Sequence, residues 1–193
     1  MKLVIIDYGA GNIKSVKYAL ERIGVNAELT NDLVKIENAD KVILPGVGEA
    51  SSAMVELKKY KLNKLIPALK QPVLGICLGI QLMCEFTEEG NTDCMGIFPI
   101  KVKKFTTKLK VPQVGWNNIS KLKTCLFNQV KENEYAYFVH SFYAPLSEYT
   151  IAQTTYDKEF SAALQKANFY ACQFHPEKSS DAGQQILKNF VNL

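Results

Sequence analysis

Short β-branched apolar runs alternate with stretches of helical period through the first half of the chain, and this alternation restricts the fold more than any other feature. Leu3 to Ile6 reads as a strand, after which Ile13, Val16, Leu20 and Ile23 recur at the spacing of one helix face. Val25 to Leu29 and Val42 to Leu44 read as further strands, Ser52 to Tyr60 as a helix, and Val73 to Ile76 as a buried strand running into another helix. Repeated strand-helix units predict a parallel sheet with helices on both faces. From Ile97 to Phe174 the pattern changes to strand-like pieces separated by turn signals at Gly115, Asn117-Asn118 and Pro145, which predicts a partly antiparallel portion. Ile186, Leu187, Phe190 and Val191 mark a closing helix over 181–193. The expectation is one three-layer α/β domain over residues 1–193, with no internal repeat or linker.

A chain of 193 residues, 47% of them apolar, buries about 70% of its unfolded surface and needs neither disulfides nor metal to build a core. Its charge of +4, from 23 basic and 19 acidic residues spread along the chain, is too mild an excess for a nucleic-acid binder. The five cysteines form no C-x-x-C pair, so reduced thiols in the cytoplasm are expected rather than zinc or a disulfide framework. Met1 leads almost at once into a strand, without the pattern of a leader. The apolar runs are far short of the roughly 18 residues that a membrane span needs.

Gly75-Ile76-Cys77-Leu78-Gly79 is a G-x-C-x-G between an apolar strand and a helical run. This is the spacing of a nucleophile elbow, in which small residues two before and two after let the strand turn sharply and expose the thiol. The helix N-terminus would favour thiolate, and the Leu78 amide would become an oxyanion donor. A buried structural cysteine packed between glycines fits the same five residues.

A nucleophile needs a base, and the chain has two histidines, His140 and His175. His175 follows the strand-like run Phe169 to Phe174 and precedes Pro176-Glu177. In extended chain that spacing puts imidazole and carboxylate on one face, so Glu177 can accept from one ring nitrogen while the other faces the thiol. A strand-end histidine held by a surface glutamate is the alternative. His140 reads as a structural histidine.

Pro45-Gly46-Val47-Gly48 directly follows the third strand, so it lies at the same sheet edge as Cys77. It supplies either a second oxyanion donor or only a tight turn. Asp7-Tyr8-Gly9-Ala10-Gly11-Asn12 carries G-x-G after a strand, but Lys14 stands where a dinucleotide fingerprint needs its third glycine. No cofactor and no metal is expected.

The segments Gly75 to Gln81 and Gln173 to Glu177, in the order Cys, His, Glu, resemble the class I, triad-type glutamine amidotransferases, a flavodoxin-like fold. Within that superfamily, Asp7 to Asn12 with Ser15-Val16, Pro45 to Gly48, Val114 to Asn117, Phe138 to Ser141 and His175 to Ser179 are similar to the glutaminase subunits of imidazole glycerol phosphate synthase. The likeness covers nearly the whole chain. It implies hydrolysis of glutamine to glutamate and ammonia, with the ammonia passed to a (β/α)₈-barrel cyclase subunit in a heterodimer. There it would enter imidazole glycerol phosphate and an aminoimidazole carboxamide ribotide, in histidine biosynthesis. It further implies Cys77 as nucleophile, His175 as proton shuttle and Glu177 as its orienting acid. Val47 and Leu78 would supply the oxyanion amides, and Gly48, Gln81 and the main chain of Ser141 and Phe142 would hold the glutamine head group. Asn12, Trp116 and Lys178 would face the cyclase, Lys178 pairing with a carboxylate there; neither nucleic acid nor membrane is implied as a partner.

Gln113 and Val114 depart from the family's usual His-Met pair, and Ala50 from its usual aromatic residue. None touches the triad. They bear instead on partner contacts and on the separation from paralogous subunits that supply ammonia to sugar-modifying synthetases. A stand-alone γ-glutamyl or peptide hydrolase shares the elbow and triad, and a non-catalytic module in which Cys77 merely packs shares the fold.

Overall fold

The computed structural model describes residues 1–9 and 13–193. In chain order the elements are β1 (Leu3–Ile6), α1 (Ile13–Arg22), β2 (Ala27–Thr30), α2 (Leu33–Glu37), β3 (Lys41–Leu44), α3 (Ala50–Lys59), α4 (Leu62–Ala68), β4 (Val73–Ile76), α5 (Leu78–Met83), β5 (Cys84–Thr87), β6 (Thr92–Asp93), β7 (Phe98–Lys104), β8 (Gln113–Ile119), β9 (Glu134–His140), β10 (Phe142–Tyr143), β11 (Thr150–Tyr156), β12 (Lys158–Lys166), β13 (Phe169–Cys172) and α6 (Ser180–Val191). The main sheet has seven strands in the order β11-β12-β13-β4-β3-β1-β2. From β2 to β13 neighbouring strands are parallel, and β12 and β11 continue the sheet antiparallel.

β1, β3, β4 and β13 are buried at every position, as continuous apolar runs covered on both faces must be. Leu3 and Ile5 fall in one core cluster and Val4 and Ile6 in another, so the two clusters are the two faces of the sheet. Val16 and Leu20 of α1, Leu187 and Phe190 of α6, and Phe138 of the β8–β9 ribbon fill the first. Leu57 of α3, Ile66 of α4 and Leu82 of α5 fill the second. The expected three layers are present.

Two local expectations give way. The second strand starts at Ala27, later than its apolar run, because the amides of Gly24 and Val25 still bond back to the carbonyls of Glu21 and Leu20. Gly115, Asn117 and Asn118 are not turn residues: they lie inside β8, paired without a break to Phe138, Ala136 and Tyr135. An unbroken cross-strand register outweighs their local turn preference.

The topology also fixes where chemistry can occur. β3, β4 and β13 are adjacent and parallel, so the segments after them leave at one sheet edge. Those segments are Pro45–Gly48, Cys77 and Gln173–Glu177. Carboxyl ends of parallel strands are where open α/β sheets bind ligands.

Candidate active site

Cys77 joins β4 to α5 with no spacer, at φ 53° and ψ −101°. A side chain disfavours that region, so the residue persists only because its surroundings hold it there. Its amide donates to the Cys172 carbonyl at 2.8 Å, tying the bend to β13. Gly79 lets the first turn of α5 approach β3, since a Cβ there would run into the Leu44 carbonyl. The sulfur lies 3.6 Å from the Val139 carbonyl oxygen, a partner for the thiol proton.

His175 is extended, at φ −98° and ψ 95°. Its amide donates to the Tyr137 carbonyl at 2.9 Å. The Ser179 hydroxyl donates to the His175 carbonyl at 2.6 Å and accepts from the Tyr137 amide at 2.9 Å, which clamps the loop carrying His175 and Glu177 to β9. Nδ1 donates to Glu177 Oε1 at 2.8 Å. Extended chain is not what delivers this carboxylate: Pro176 opens a 3₁₀ turn over Pro176–Lys178 that carries Glu177 to the ring. Burial opposes a charge on His175, but hydrogen bonds with Cys77 and Glu177 outweigh it and push the imidazole up to about 10.

Cys77 and His175 open into a cavity of about 280 Å³ that Val47, Gly48, Leu78, Gln81, Glu89, His140, Ser141 and Lys178 also line. That volume suits a small metabolite. A larger groove, about 870 Å³, lies at the opposite edge of the sheet, along the starts of β1 and β2, but neither cysteine nor histidine lines it. The Gln81 oxygen accepts from the Thr87 hydroxyl at 3.0 Å, leaving its NH₂ as the end that can donate into the cavity. Gly48 adopts φ 111°, which only glycine takes without strain. The Tyr8 hydroxyl donates to the Pro45 carbonyl at 2.8 Å and anchors the loop that carries Val47. The Leu78 amide donates to the Gly46 carbonyl at 3.3 Å.

Of the remaining residues singled out from sequence, Lys178 lines the cavity, and Trp116 and Lys178 meet on one ring. Lys178 is exposed, with Nζ 5.9 Å from the centre of the Tyr137 ring, and Trp116 is 53% exposed and meets the same ring edge-on at 5.8 Å. Phe142 lies one residue beyond the cavity-lining Ser141, in β10. Asn12 lies outside the described residues.

Two residues of the site, Tyr137 and Glu89, are absent from the motif reading, and Ser179 stands in it without a role. Ser179 and Tyr137 clamp the His175 backbone, and Glu89 is the carboxylate among the cavity's lining residues. Glu89 Oε2 accepts from the Ala50 amide at 3.0 Å, at the start of α3, and burial raises its pKa against that hydrogen bond. A glutamate in a run of Thr, Glu and Gly gives no sign of facing a nucleophile, because α5, β5 and a turn separate it from Cys77 in sequence.

The family model for class-I glutamine amidotransferases matches residues 4–193. The chain is 57% identical to the imidazole glycerol phosphate synthase subunit HisH of Bacteroides fragilis, with 100% of both chains covered. It is 48% identical to the subunit of the same name from Haemophilus influenzae, over 99% of this chain and 97% of the relative. Among solved structures, a glutamine amidotransferase superposes with TM-score 0.77 at 16% identity, covering 98% of this chain and 97% of that one. Another, from Thermotoga maritima, gives TM-score 0.68 at 17% identity, covering 100% of this chain and 83% of that one. At such low identity these two bear on the fold alone. The chain belongs to the class-I glutamine amidotransferase family and, within it, to the HisH subunits of imidazole glycerol phosphate synthase.

Proposed function

We propose that this chain hydrolyses glutamine to glutamate and ammonia at Cys77 and passes the ammonia to the cyclase subunit of a heterodimeric imidazole glycerol phosphate synthase, acting as one domain over residues 1–193. The observation that carries the reading is the meeting, at the ends of adjacent strands, of a strained buried thiol with an imidazole held by a carboxylate. Cys77 gives its thiol proton to His175 as the sulfur attacks the carboxamide carbon, and His175 passes that proton to the departing amine, leaving a thioester. His175 then takes a proton from water as it attacks, and glutamate leaves with the sulfur restored. Glu177 keeps the second ring nitrogen engaged throughout.

The oxyanion needs the amides of Leu78 and Val47, yet the Leu78 amide is bonded to the Gly46 carbonyl. Gly46 C=O and Val47 N–H belong to one trans peptide and point in opposite directions. One rotation of that peptide therefore withdraws the acceptor from Leu78 and turns the Val47 donor inward. Gly46 and Gly48 on either side give the backbone its freedom. The isolated chain is thus a weak glutaminase, and docking of the cyclase favours the rotated loop. Glu89 receives the substrate's α-ammonium, while Gly48, Gln81 and the Ser141-Phe142 main chain hold the rest of the head group. Asn12, Trp116 and Lys178 face the cyclase. The five free thiols favour the cytoplasm.

The test is to mix the purified chain with its cyclase and the cyclase's phosphoribulosyl ligand and to measure glutamate. A rise well above the chain alone is expected, and no rise would overturn the assignment.

A further inference from the structure

His140 is 5% exposed and stands in a cage of phenylalanines, its ring centre 5.3 Å from Phe105, 5.7 Å from Phe138 and 5.3 Å from Phe160. The reaction steps above do not use it, yet both of its nitrogens are engaged. Nδ1 lies 2.7 Å from the Phe142 carbonyl oxygen, and Nε2 lies 3.0 Å from the atom placed as Oε1 of Gln113, its direct cross-strand partner. Burial in the cage pushes the ring down to about 4, so it is neutral at physiological pH. A neutral imidazole carries one N–H. A carbonyl can only accept, so that N–H is on Nδ1 and Gln113 must present its NH₂ to Nε2, the two ends of a primary amide being interchangeable in shape.

The strand register shows what the Nδ1 bond controls. Phe142 lies opposite Lys104 of β7, and the bond from the Phe105 amide to the Ser141 carbonyl, at 3.0 Å, flanks that pair. Phe142 is therefore at a non-hydrogen-bonded position, with its own N–H and C=O turned away from β7. β10 is the edge of its sheet, so among the described residues no further strand takes up that side. The Phe142 carbonyl is instead taken by His140, and the preceding carbonyl by Phe105. Two successive carbonyls are pinned, and the peptides between them cannot turn an acceptor toward an incoming carboxylate.

We propose that His140 is a positioning residue for glutamine: with its tautomer set by the Phe142 carbonyl and its ring steadied by Gln113, it holds that carbonyl and thereby helps fix the Ser141-Phe142 main chain that receives the substrate's head group. This rests on the glutaminase reading above. It assigns to the Gln113-His140 pair a part in substrate affinity, while the sulfur and His175 keep their chemistry.

The experiment compares wild type, His140→Phe and His140→Asn as full chains in complex with the cyclase, measuring KM and kcat for glutamine and the rate at which iodoacetamide alkylates Cys77. Phenylalanine fills the cage but donates nothing; the asparagine amide nitrogen sits where Nδ1 does. His140→Phe should raise KM about tenfold, the usual effect of one lost hydrogen bond, with kcat and alkylation changed less than about threefold. His140→Asn should recover most of the KM. An unchanged KM in His140→Phe, or the same KM in both variants, overturns the proposal. Should His140→Phe fail to fold, His140→Leu carries the test, since it fills the cage with an apolar side chain that donates nothing; an unchanged KM there is equally decisive. A wild-type complex that releases no glutamate is a failure of the glutaminase reading, distinct from a wild type that turns over and a His140→Phe variant that matches it.

Discussion

Cys77 combines a backbone that resists its conformation with a sulfur that depends on it. Residues held in sparsely populated backbone regions cost about 1–3 kcal/mol each, and here α5, Cys172 and Gly79 supply the restraint. Replacing Cys77 by glycine should therefore stabilise the chain relative to Cys77→Ala by about 1 kcal/mol in urea melts, although both variants lose the nucleophile. Equal midpoints would remove strain from the description. The two histidines have opposite linkage. His175 is raised, so its stabilising contribution is complete below its unfolded value near 6.5 and is lost as pH climbs toward about 10. His140 is lowered, so the folded state loses stability as pH falls from about 6.5 to about 4, where the unfolded chain binds the extra proton. In urea melts across pH 4–10, Glu177→Gln should flatten the alkaline decline and leave the acidic one in place. A variant curve parallel to wild type at both ends would contradict the assignment of the alkaline decline to the His175-Glu177 pair.

At the scale of elements, the proposed mechanism assigns to the loop from Pro45 to Gly48 the decision whether the thiol can turn over. Gly48 at φ 111° has open space where a Cβ would go, so the obstacle to a side chain there is the backbone itself. Gly48→Val should keep the fold by circular dichroism but lose about a hundredfold in kcat, the scale of one lost oxyanion donor. Normal kinetics would exclude that loop from the oxyanion site. Much of this element was legible in sequence, because a strand followed by Pro-Gly-Val-Gly has few backbone solutions. The bond from Leu78 to Gly46 was not legible, since it joins two segments whose adjacency comes from the order β3-β4 in the sheet. The same limit applies to Gly115 and Asn117-Asn118: locally they signal turns, and only pairing with β9 makes them strand. Glu89 enters the site through tertiary packing, so no local pattern marks its role. Cys77, His175 and Glu177 stood out because each lies beside a residue that constrains the backbone: Gly75 and Gly79 for the thiol, Pro176 for the pair.

For the whole molecule, sequence periodicity predicted a parallel sheet with helices on both faces, and the antiparallel addition of β12 and β11 matches the change of pattern after Ile97. Strand order could not be read from periodicity, yet it is what brings the thiol between the oxyanion loop and the imidazole. Trp116 and Lys178 meet on the Tyr137 ring, and in the proposed complex both would face the cyclase. Lys178→Ala should leave Cys77 reactive toward an alkylating glutamine analogue while weakening stimulation by the cyclase and its ligand, read as the ratio of glutamate release with and without them. An unchanged ratio would remove Lys178 from the interface. The central claim is tested most directly by glutamate release from the assembled complex of Cys77→Ala with the cyclase. The account predicts no glutamine-dependent turnover but preserved synthesis from added ammonia; glutamate release at the wild-type rate would contradict it.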